Sequence, residues 1–211
     1  MTARHLLDEG VVAGNVFDKH RSSNPLVRRL MADFDEDMFE LLSGVGPVRS
    51  VLEVGCGEGH VTAKLAGRFP GARVLGTDIS PAIVEVARRE HPDQDFSVCS
   101  VYDVARLGAW DLVVACELFE HLRDPGRALE AVCATGPGHV LVTVPREPLW
   151  RVLNIARGQY WGALGNTPGH LQHWNRRSLL RFLRSRLEIV GVRTPLPWIQ
   201  TLGRPLASPR A

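Results

Sequence analysis

The sequence predicts an α/β domain built on a doubly wound, mostly parallel sheet of about seven strands. Along residues 50–145, short apolar segments alternate with helical patterns, as they do in βαβ units. A glycine-rich turn, Gly-Cys-Gly-Glu-Gly at 55–59, follows the first of these apolar segments. Acidic residues stand at or just beyond the ends of the strands, where such sheets bind ligands. These acids are Glu53, Asp78, Asp103 and Glu117.

Length and composition fit a single domain. The 211 residues are 45% hydrophobic and 23% charged, near the averages of globular proteins. A chain of this size buries about 70% of the surface that its unfolded form exposes, so its core needs no disulfide or metal. We predict one domain over 1–211, with a helical N-terminal cover (1–45), a core carrying the glycine turn (46–145), an insertion (146–174) and a C-terminal helix with strands (175–211).

The first clear element is a helix that begins at Asn24-Pro25. Asparagine is a favoured N-cap, and proline is tolerated at the first helical position because the N–H it lacks has no partner there. Apolar residues then recur at helical spacing to about residue 42. The Gly-Val-Gly-Pro sequence at 44–47 ends the helix.

The core continues as alternating strands and helices. Strands are predicted at 51–54, 72–77, 95–101, 110–116 and 139–144. Helices are predicted at 60–69, 81–91 and 125–135. The apolar strand segments suit a sheet that is covered on both faces.

The insertion at 146–174 breaks this alternation. It carries several aromatic residues and histidines and follows the last parallel strand, on the ligand side of the sheet. These residues include Trp150, Tyr160, Trp161, His170, His173 and Trp174. Long segments in such places usually serve function, so a lid is predicted here. Asn175 then caps a helix to about residue 184, and two final strands follow at 187–192 and 198–202.

The glycine turn and the helix after it predict a site for a small polar ligand, because glycines let the backbone approach closely and the helix N-terminus offers unpaired N–H groups. The turn lacks the Gly-Lys-Ser/Thr of a Walker A loop. Its G-x-G-x-G spacing also differs from the G-x-G-x-x-G of dinucleotide-binding folds. Glu53, two residues before the first glycine, would repel a pyrophosphate but suit a cationic ligand.

Together these features resemble the class I S-adenosylmethionine-dependent methyltransferases, whose first motif has the form acid-x-G-x-G-x-G. The resemblance covers about residues 50–145. It includes Glu53 with the three glycines, Asp78 at the end of the second strand, Asp103 after the third, and Trp-Asp-Leu-Val at 110–113. It implies a seven-stranded Rossmann-like methyltransferase fold and S-adenosylmethionine as cofactor, with S-adenosylhomocysteine as product.

The resemblance also implies which residues bind the cofactor. Asp78 would accept hydrogen bonds from the ribose hydroxyls, Asp103 would bond the adenine amino group, and Tyr102 and Val104 would flank the ring. Lys19 would meet the methionine carboxylate. The full predicted set is Glu53, Gly55, Cys56, Gly57, Gly59, Asp78, Ile79, Tyr102, Asp103, Val104 and Glu117. An alternative for Asp103 is that it only caps a turn.

A second motif, E-x-x-E-H at 117–121, resembles the branch that includes the ubiquinone-biosynthesis O-methyltransferases, and also the small-RNA 2′-O-methyltransferases. In those groups two acids and two histidines can bind a divalent ion beside the acceptor hydroxyl. The corresponding residues here are Glu117, Glu120, His121 and His170. The alternative is a site without metal, in which His121 acts as the catalytic residue, as general base or substrate contact, and Glu117 packs near the cofactor.

The predicted function is therefore methyl transfer from S-adenosylmethionine to an oxygen or nitrogen of a small-molecule acceptor. Three alternatives are a protein or RNA methyltransferase with a divalent-ion-assisted site, an inactive S-adenosylmethionine-binding module, and a hydride-transferring oxidoreductase. A formal net charge of +2 gives no basic stripe and disfavours a nucleic-acid acceptor.

Composition also bears on location. No apolar run approaches the ~18 residues that a membrane span needs, and the N-terminus has no signal-like apolar region. The four cysteines form no C-x-x-C pair. We therefore expect a cytoplasmic protein without a membrane partner. The sequence predicts neither the acceptor's identity nor the oligomeric state.

Overall fold

A central sheet with helices on both faces forms the body of the protein. The computed structural model describes residues 6–8, 11–13, 23–156, 161–167 and 169–207. Strands there are β1 (Leu6–Asp8), β2 (Val11–Ala13), β3 (Ser50–Val54), β4 (Arg73–Asp78), β5 (Asp95–Val98), β6 (Leu112–Cys116), β7 (His139–Pro145), β8 (Leu187–Arg193) and β9 (Trp198–Pro205). Helices there are α1 (Pro25–Ser43), α2 (His60–Arg68), α3 (Pro81–Glu90), α4 (Pro125–Ala134), α5 (Leu149–Ala156) and α6 (Arg176–Leu183).

The central sheet has seven strands in the order β5-β4-β3-β6-β7-β9-β8. The first five are parallel, and β9 pairs antiparallel with both β7 and β8. The strand order reverses between β3 and β6, and sheets of this type bind ligands at such a switch point. This architecture confirms the predicted doubly wound, mostly parallel fold. The hairpin of β1 and β2 forms a separate two-stranded sheet.

Alternate residues of each central strand face opposite layers of the core. Leu112 and Val114 of β6 pack with α1 and α2, whereas Val113 of the same strand packs with α4 and α6. This alternation follows from the two-residue period of a strand, and burial on both faces explains why the strands are continuously apolar. Glu53 shares its face with Val51, which packs in the same layer as α2.

The helix predicted to begin at Asn24-Pro25 is present as α1, whereas the described part of the predicted helical cover before it holds the strands β1 and β2. The Asn24 side chain accepts a hydrogen bond from Leu26 N at 2.9 Å and so caps α1. Met31, Phe34 and Met38 form its buried stripe against the sheet. Gln200 of β9 donates to the Phe34 carbonyl at 2.8 Å, which ties the cover to the far part of the sheet.

Two segments differ from the prediction. The third core strand ends at Val98, and a 3₁₀ helix, Val101–Leu107, replaces its predicted end. Ser100 starts this helix by accepting a hydrogen bond from Tyr102 N at 3.3 Å, a local bond that competes with strand pairing. The insertion also contains α5 and a short 3₁₀ turn, Trp161–Ala163. No helix in the described residues is long and apolar enough to cross a membrane.

The packing of β4 against α2 and β5 can be tested at Gly76, in the middle of the strand. A Cβ at Gly76 would lie 2.6 Å from Thr62 Oγ1 and 2.7 Å from Phe96 Cδ1. We expect Gly76→Ala to lower the free energy of unfolding by about 1–3 kcal/mol, because a packed layer has no room for the methyl group. Gly67→Ala in α2 is the control, since nothing lies within 4 Å of a Cβ there. Urea unfolding of both variants measures the difference, and equal stability would contradict this packing.

Candidate functional site

The glycine turn between β3 and α2 adopts a conformation that side chains resist. Gly55, Gly57 and Gly59 have φ values of 73°, 53° and 85°, in the left-handed region that favours glycine. Gly55 N and Cys56 N both donate to the Thr77 carbonyl, at 2.7 and 2.9 Å. The turn is therefore held on the end of β4.

Asp78 connects this turn to the next one. Its Oδ2 accepts from Gly57 N at 3.1 Å, and its Oδ1 accepts from Ser80 N at 3.0 Å. The residue is 9% exposed. Burial raises the pKa of the Asp78 carboxyl, although the two backbone N–H donors oppose that shift. A carboxylate can accept about four hydrogen bonds, so each oxygen keeps capacity for a further donor.

The end of β6 lies directly against the glycine turn. A Cβ at Gly55 would come within 2.9 Å of Leu118 Cδ1. Leu118 stands between Glu117 and the short 3₁₀ turn Phe119–His121. The two motifs found in the sequence are therefore neighbours in space.

Glu53 is buried beneath the turn, with 1% of its surface exposed. The Thr62 hydroxyl of α2 donates to its carboxylate. Burial is the main cause that raises the pKa of Glu53 to about 8, while the Thr62 hydrogen bonds lower it. Cys56 is also buried, which raises the pKa of its thiol. In this conformation Glu53 is hydrogen-bonded to the first turn of α2 through Thr62.

The Glu53 shift predicts how stability changes with pH. The unfolded carboxyl titrates near 4.5 and the folded one near 8. Between these values only the folded state carries the proton, so the free energy of unfolding falls as pH rises, by at most about 1.4 kcal/mol per unit. The stability that the protonated Glu53 contributes to the folded state is fully present below pH 4.5 and is lost as the pH rises through about 8. We expect Glu53→Gln to remove it.

Urea unfolding at several pH values measures this difference between wild type and Glu53→Gln. Glu85→Gln is the control, because Glu85 is an exposed acid of α3 with a surface partner, Arg88. Parallel stability curves for wild type and Glu53→Gln would contradict a neutral, buried Glu53.

Four residues of the predicted cofactor set, which lie beyond β4 and β5, differ in their exposure. Ile79 is 39% exposed and Asp103 is also exposed, so both present surface beyond β4 and β5. Tyr102 is half-buried; its hydroxyl accepts from Asp124 N at 3.3 Å, and the Arg127 guanidinium lies 5.1 Å from its ring centroid. Val104 is fully buried in the main core, so in this conformation it offers no surface to a ligand.

Glu117 takes a position different from that of Glu120, His121 and His170, the residues with which it would form a divalent-ion site. Its backbone has a φ of 52°, which is unusual outside glycine. Its N–H donates to the Thr143 carbonyl at 2.9 Å, and its carboxylate accepts from Trp198 Nε1. The backbone therefore directs this carboxylate towards β9.

Glu120, His121 and His170 come together although the two histidines are 49 positions apart in sequence. One nitrogen or carboxylate oxygen from each lies within 4.8 Å of the others, and Glu117 is not part of this group. The two imidazole rings meet edge to face, with centroids 4.9 Å apart. Glu120 and His170 are buried and His121 is half-buried. We refer to these three residues as the Glu120 cluster.

Backbone hydrogen bonds hold the insertion on this cluster. Leu171 N and Gln172 N both donate to the Glu120 carbonyl, at 2.8 and 2.9 Å. His121 Nδ1 lies 3.0 Å from the Gly169 carbonyl. Since a carbonyl only accepts, Nδ1 carries the proton and the lone pair of His121 is on Nε2. That nitrogen can accept a proton or bind a metal.

Tryptophans line the same region. Trp150 of α5 stacks on His170 with ring centroids 6.3 Å apart, and Trp198 of β9 lies 6.0 Å from Trp150. Trp150 Nε1 donates to Thr167 Oγ1 at 2.8 Å, and Asn154 donates to the same oxygen at 3.1 Å. No motif or spacing in the sequence marked Trp198, Asn154 or Thr167 as site residues. Lys19 and Tyr160, predicted near the ligands, lie outside the described residues.

The sequence is similar to known methyltransferases. A family model described as "Methyltransferase domain" matches residues 52–135. Trans-aconitate 2-methyltransferase of Methylobacterium radiotolerans is 34% identical over 125 residues, which are 56% of this chain and 48% of that protein. Ubiquinone biosynthesis O-methyltransferase of Acinetobacter baylyi is 31% identical over 163 residues, 71% of this chain and 65% of that protein. The chain thus spans about half to two thirds of these relatives.

Solved structures share the fold at lower identity. Magnesium protoporphyrin IX methyltransferase from Synechocystis PCC 6803, solved with bound SAH, has a TM-score of 0.66 at 14% identity, over 90% of this chain and 94% of that one. N-methyltransferase NodS from Bradyrhizobium japonicum WM9, solved with S-adenosyl-L-homocysteine, has a TM-score of 0.65 at 18% identity, over 90% of this chain and 93% of that one. At these identities the likeness concerns the fold alone.

Proposed function

We propose that the chain is a class I S-adenosylmethionine-dependent methyltransferase that transfers a methyl group from S-adenosylmethionine to an oxygen or nitrogen of a small-molecule acceptor. One observation carries this proposal: the glycine turn is bonded to Asp78 and packs, through Leu118, next to the Glu120 cluster. A cofactor site and a site for proton transfer would then adjoin each other, as methyl transfer to a protonated acceptor requires.

The residues around the turn fit the cofactor. Three left-handed glycines give the turn a tight backbone that the methionine portion would approach closely. Asp78 keeps acceptor capacity for two ribose hydroxyls, and Asp103 and Ile79 are exposed where the adenine would bind. S-adenosylmethionine supplies a methyl group that its sulfonium sulfur already activates. The chain therefore has to bind, align and remove a proton, and S-adenosylhomocysteine leaves as product.

His121 is the residue that we propose removes the proton. Its Nδ1–H is held by the Gly169 carbonyl at 3.0 Å, so Nε2 has the lone pair that accepts a proton from the acceptor. Glu120 and His170 lie beside it and would stabilise the imidazolium that forms. The alternative use of the same three side chains is to hold a divalent cation.

The donor set fits a divalent cation, because two imidazoles and a carboxylate have ligand atoms within 4.8 Å of one another. The chemistry that such a cation supplies is a lowered pKa of a hydroxyl group bound to it. Glu117 would join this set only after leaving Trp198, to which its carboxylate is now bonded. Activity with and without a chelator distinguishes the two uses.

Two features support the choice of acceptor. Trp150 and Trp198 offer flat apolar surface beside His170, which suits an aromatic acceptor. Arg146, Arg176 and Arg177 line an open cavity of about 500 Å³ at the start of α5, which suits an anionic group. We propose that the insertion 146–174 acts as a lid over an acceptor of this kind, with 46–145 as the cofactor-binding core of one domain.

The experiment is to incubate the protein with S-adenosylmethionine and a panel of acceptors: a catechol bearing a carboxylate, trans-aconitate and a primary amine. S-adenosylhomocysteine release is measured by mass spectrometry, with and without EDTA. We expect turnover with the carboxylated catechol in particular. If S-adenosylmethionine binds but no acceptor in the panel or in a cell metabolite extract promotes its turnover, the chain is a binding module and the proposed activity is wrong.

A further inference from the structure

A second group of metal-binding side chains lies between α2 and α3. His60 is the first residue of α2, and Glu90 and His91 stand at the end of α3. His60 Nδ1 is 3.2 Å from His91 Nε2, and His60 Nε2 is 3.8 Å from Glu90 Oε2. One ligand atom from each residue lies within 4.8 Å of the others. This group shares no residue with the Glu120 cluster.

We propose that His60, Glu90 and His91 form a zinc site that fixes the end of the glycine turn to α3. Imidazole nitrogens with one carboxylate oxygen are a donor set that zinc favours, with water in the fourth position. Tetrahedral zinc with Zn–N bonds of about 2.0–2.1 Å places two nitrogens about 3.3 Å apart. The observed 3.2 Å between His60 Nδ1 and His91 Nε2 matches that separation.

Burial supports a site that is partly enclosed and still accessible. The His60 and Glu90 side chains are 13% and 23% exposed, so a metal ion from solvent can reach them. The rings of His60 and His91 lie at 89° to each other with centroids 5.3 Å apart, which lets a nitrogen from each ring point at a shared position. Both residues come from helix ends, and one metal would connect two segments that are far apart in sequence.

The site would act on the glycine turn. Gly59, directly before His60, packs against Phe96 and His91: a Cβ there would lie 2.5 Å from Phe96 Cζ and 3.2 Å from His91 Cδ2. A metal bound by His60 and His91 would therefore fix the start of α2, next to Gly59, to the end of α3. Zinc is then expected to raise the melting temperature of the protein by a few degrees, because it binds the folded state only. This inference does not depend on methyl transfer.

The test uses the full chain, freed of metal with EDTA and titrated with Zn²⁺ by calorimetry. His170→Gln removes a ligand from the Glu120 cluster, so zinc binding that survives in this variant reports the new site. We expect that variant to bind one Zn²⁺ per chain and to show the visible absorption of tetrahedral cobalt with Co²⁺. Mg²⁺ is the control cation and should not bind there, since it requires mainly oxygen ligands.

Two further variants decide the assignment. His91→Gln combined with His170→Gln should abolish the remaining zinc binding and the zinc-dependent rise in melting temperature. Glu90→Gln in the same background should weaken zinc at least tenfold, and its position at a helix end makes it the safer change for folding. The proposal is wrong if His170→Gln binds no zinc, or if adding either second substitution leaves zinc affinity and the cobalt spectrum unchanged. A hydrogen bond between two neutral imidazoles would then account for the 3.2 Å contact.

Discussion

Replacing Asp78 by alanine is expected to lower the affinity for S-adenosylmethionine by about 10²–10⁴-fold. The variant loses the carboxylate that we propose accepts hydrogen bonds from two ribose hydroxyls, and charge-assisted bonds contribute about 1.5–3 kcal/mol each. It also releases Gly57 N and Ser80 N, which the same side chain holds at 3.1 and 3.0 Å. The glycine turn would then lose its connection to the loop after β4.

Two controls separate these contributions. Asp78→Asn keeps the shape and one oxygen acceptor, so we expect an affinity between those of alanine and wild type. Asp95→Ala removes an exposed acid at the start of β5, and its affinity should equal that of wild type. Calorimetry measures all three with circular dichroism as a check of folding. An unchanged affinity in a folded Asp78→Ala would remove Asp78 from the cofactor site.

His121→Ala is expected to lower kcat by about 10²–10⁴-fold, the usual contribution of a positioned general acid or base. Binding of S-adenosylmethionine should stay within a factor of about three, because His121 Nδ1 contacts the Gly169 carbonyl of the insertion and we propose that its role is proton removal. The control is His173→Ala in the same segment, whose exposed ring bonds the Asn166 side chain at 2.9 Å. Initial rates at saturating S-adenosylmethionine measure the effect.

The same assay distinguishes a base from a metal ligand. If the Glu120 cluster works through a cation, EDTA should reduce the wild-type rate to near that of His121→Ala. If His121 acts as the base alone, EDTA should leave the wild-type rate unchanged. A His121→Ala rate equal to that of wild type would exclude both roles.

The local features of this protein were predictable from its sequence. The glycine turn, the cap at Asn24 and the strands of the sheet follow from short-range patterns, and the structure has them within a few residues. Asp78 could be placed beside the turn because parallel strands end at one edge of the sheet. The order of the last strands was not predictable, since the placement of β9 between β7 and β8 depends on partners distant in sequence.

In the candidate site too, neighbours in sequence could be predicted, whereas contacts between distant segments could not. Glu120 and His121 are neighbours in sequence, but only the docking of 169–172 on the Glu120 carbonyl brings His170 to them. Glu117 was grouped with them from its motif spacing, yet a left-handed backbone directs its carboxylate to Trp198. Val104 follows Asp103 in sequence, but the 3₁₀ helix turns it into the core. The positions of these side chains depend on backbone geometry, which the periodicity of the sequence does not predict.

We propose that the glycine turn at 55–59 binds S-adenosylmethionine. Calorimetric titration of the intact chain with S-adenosylmethionine, S-adenosylhomocysteine and NAD tests this binding. We expect one S-adenosylmethionine and one S-adenosylhomocysteine per chain, with dissociation constants between about 1 μM and 1 mM, and no heat with NAD. Binding of NAD without binding of S-adenosylmethionine, or no binding of either methyl-donor ligand to the folded chain, would contradict it.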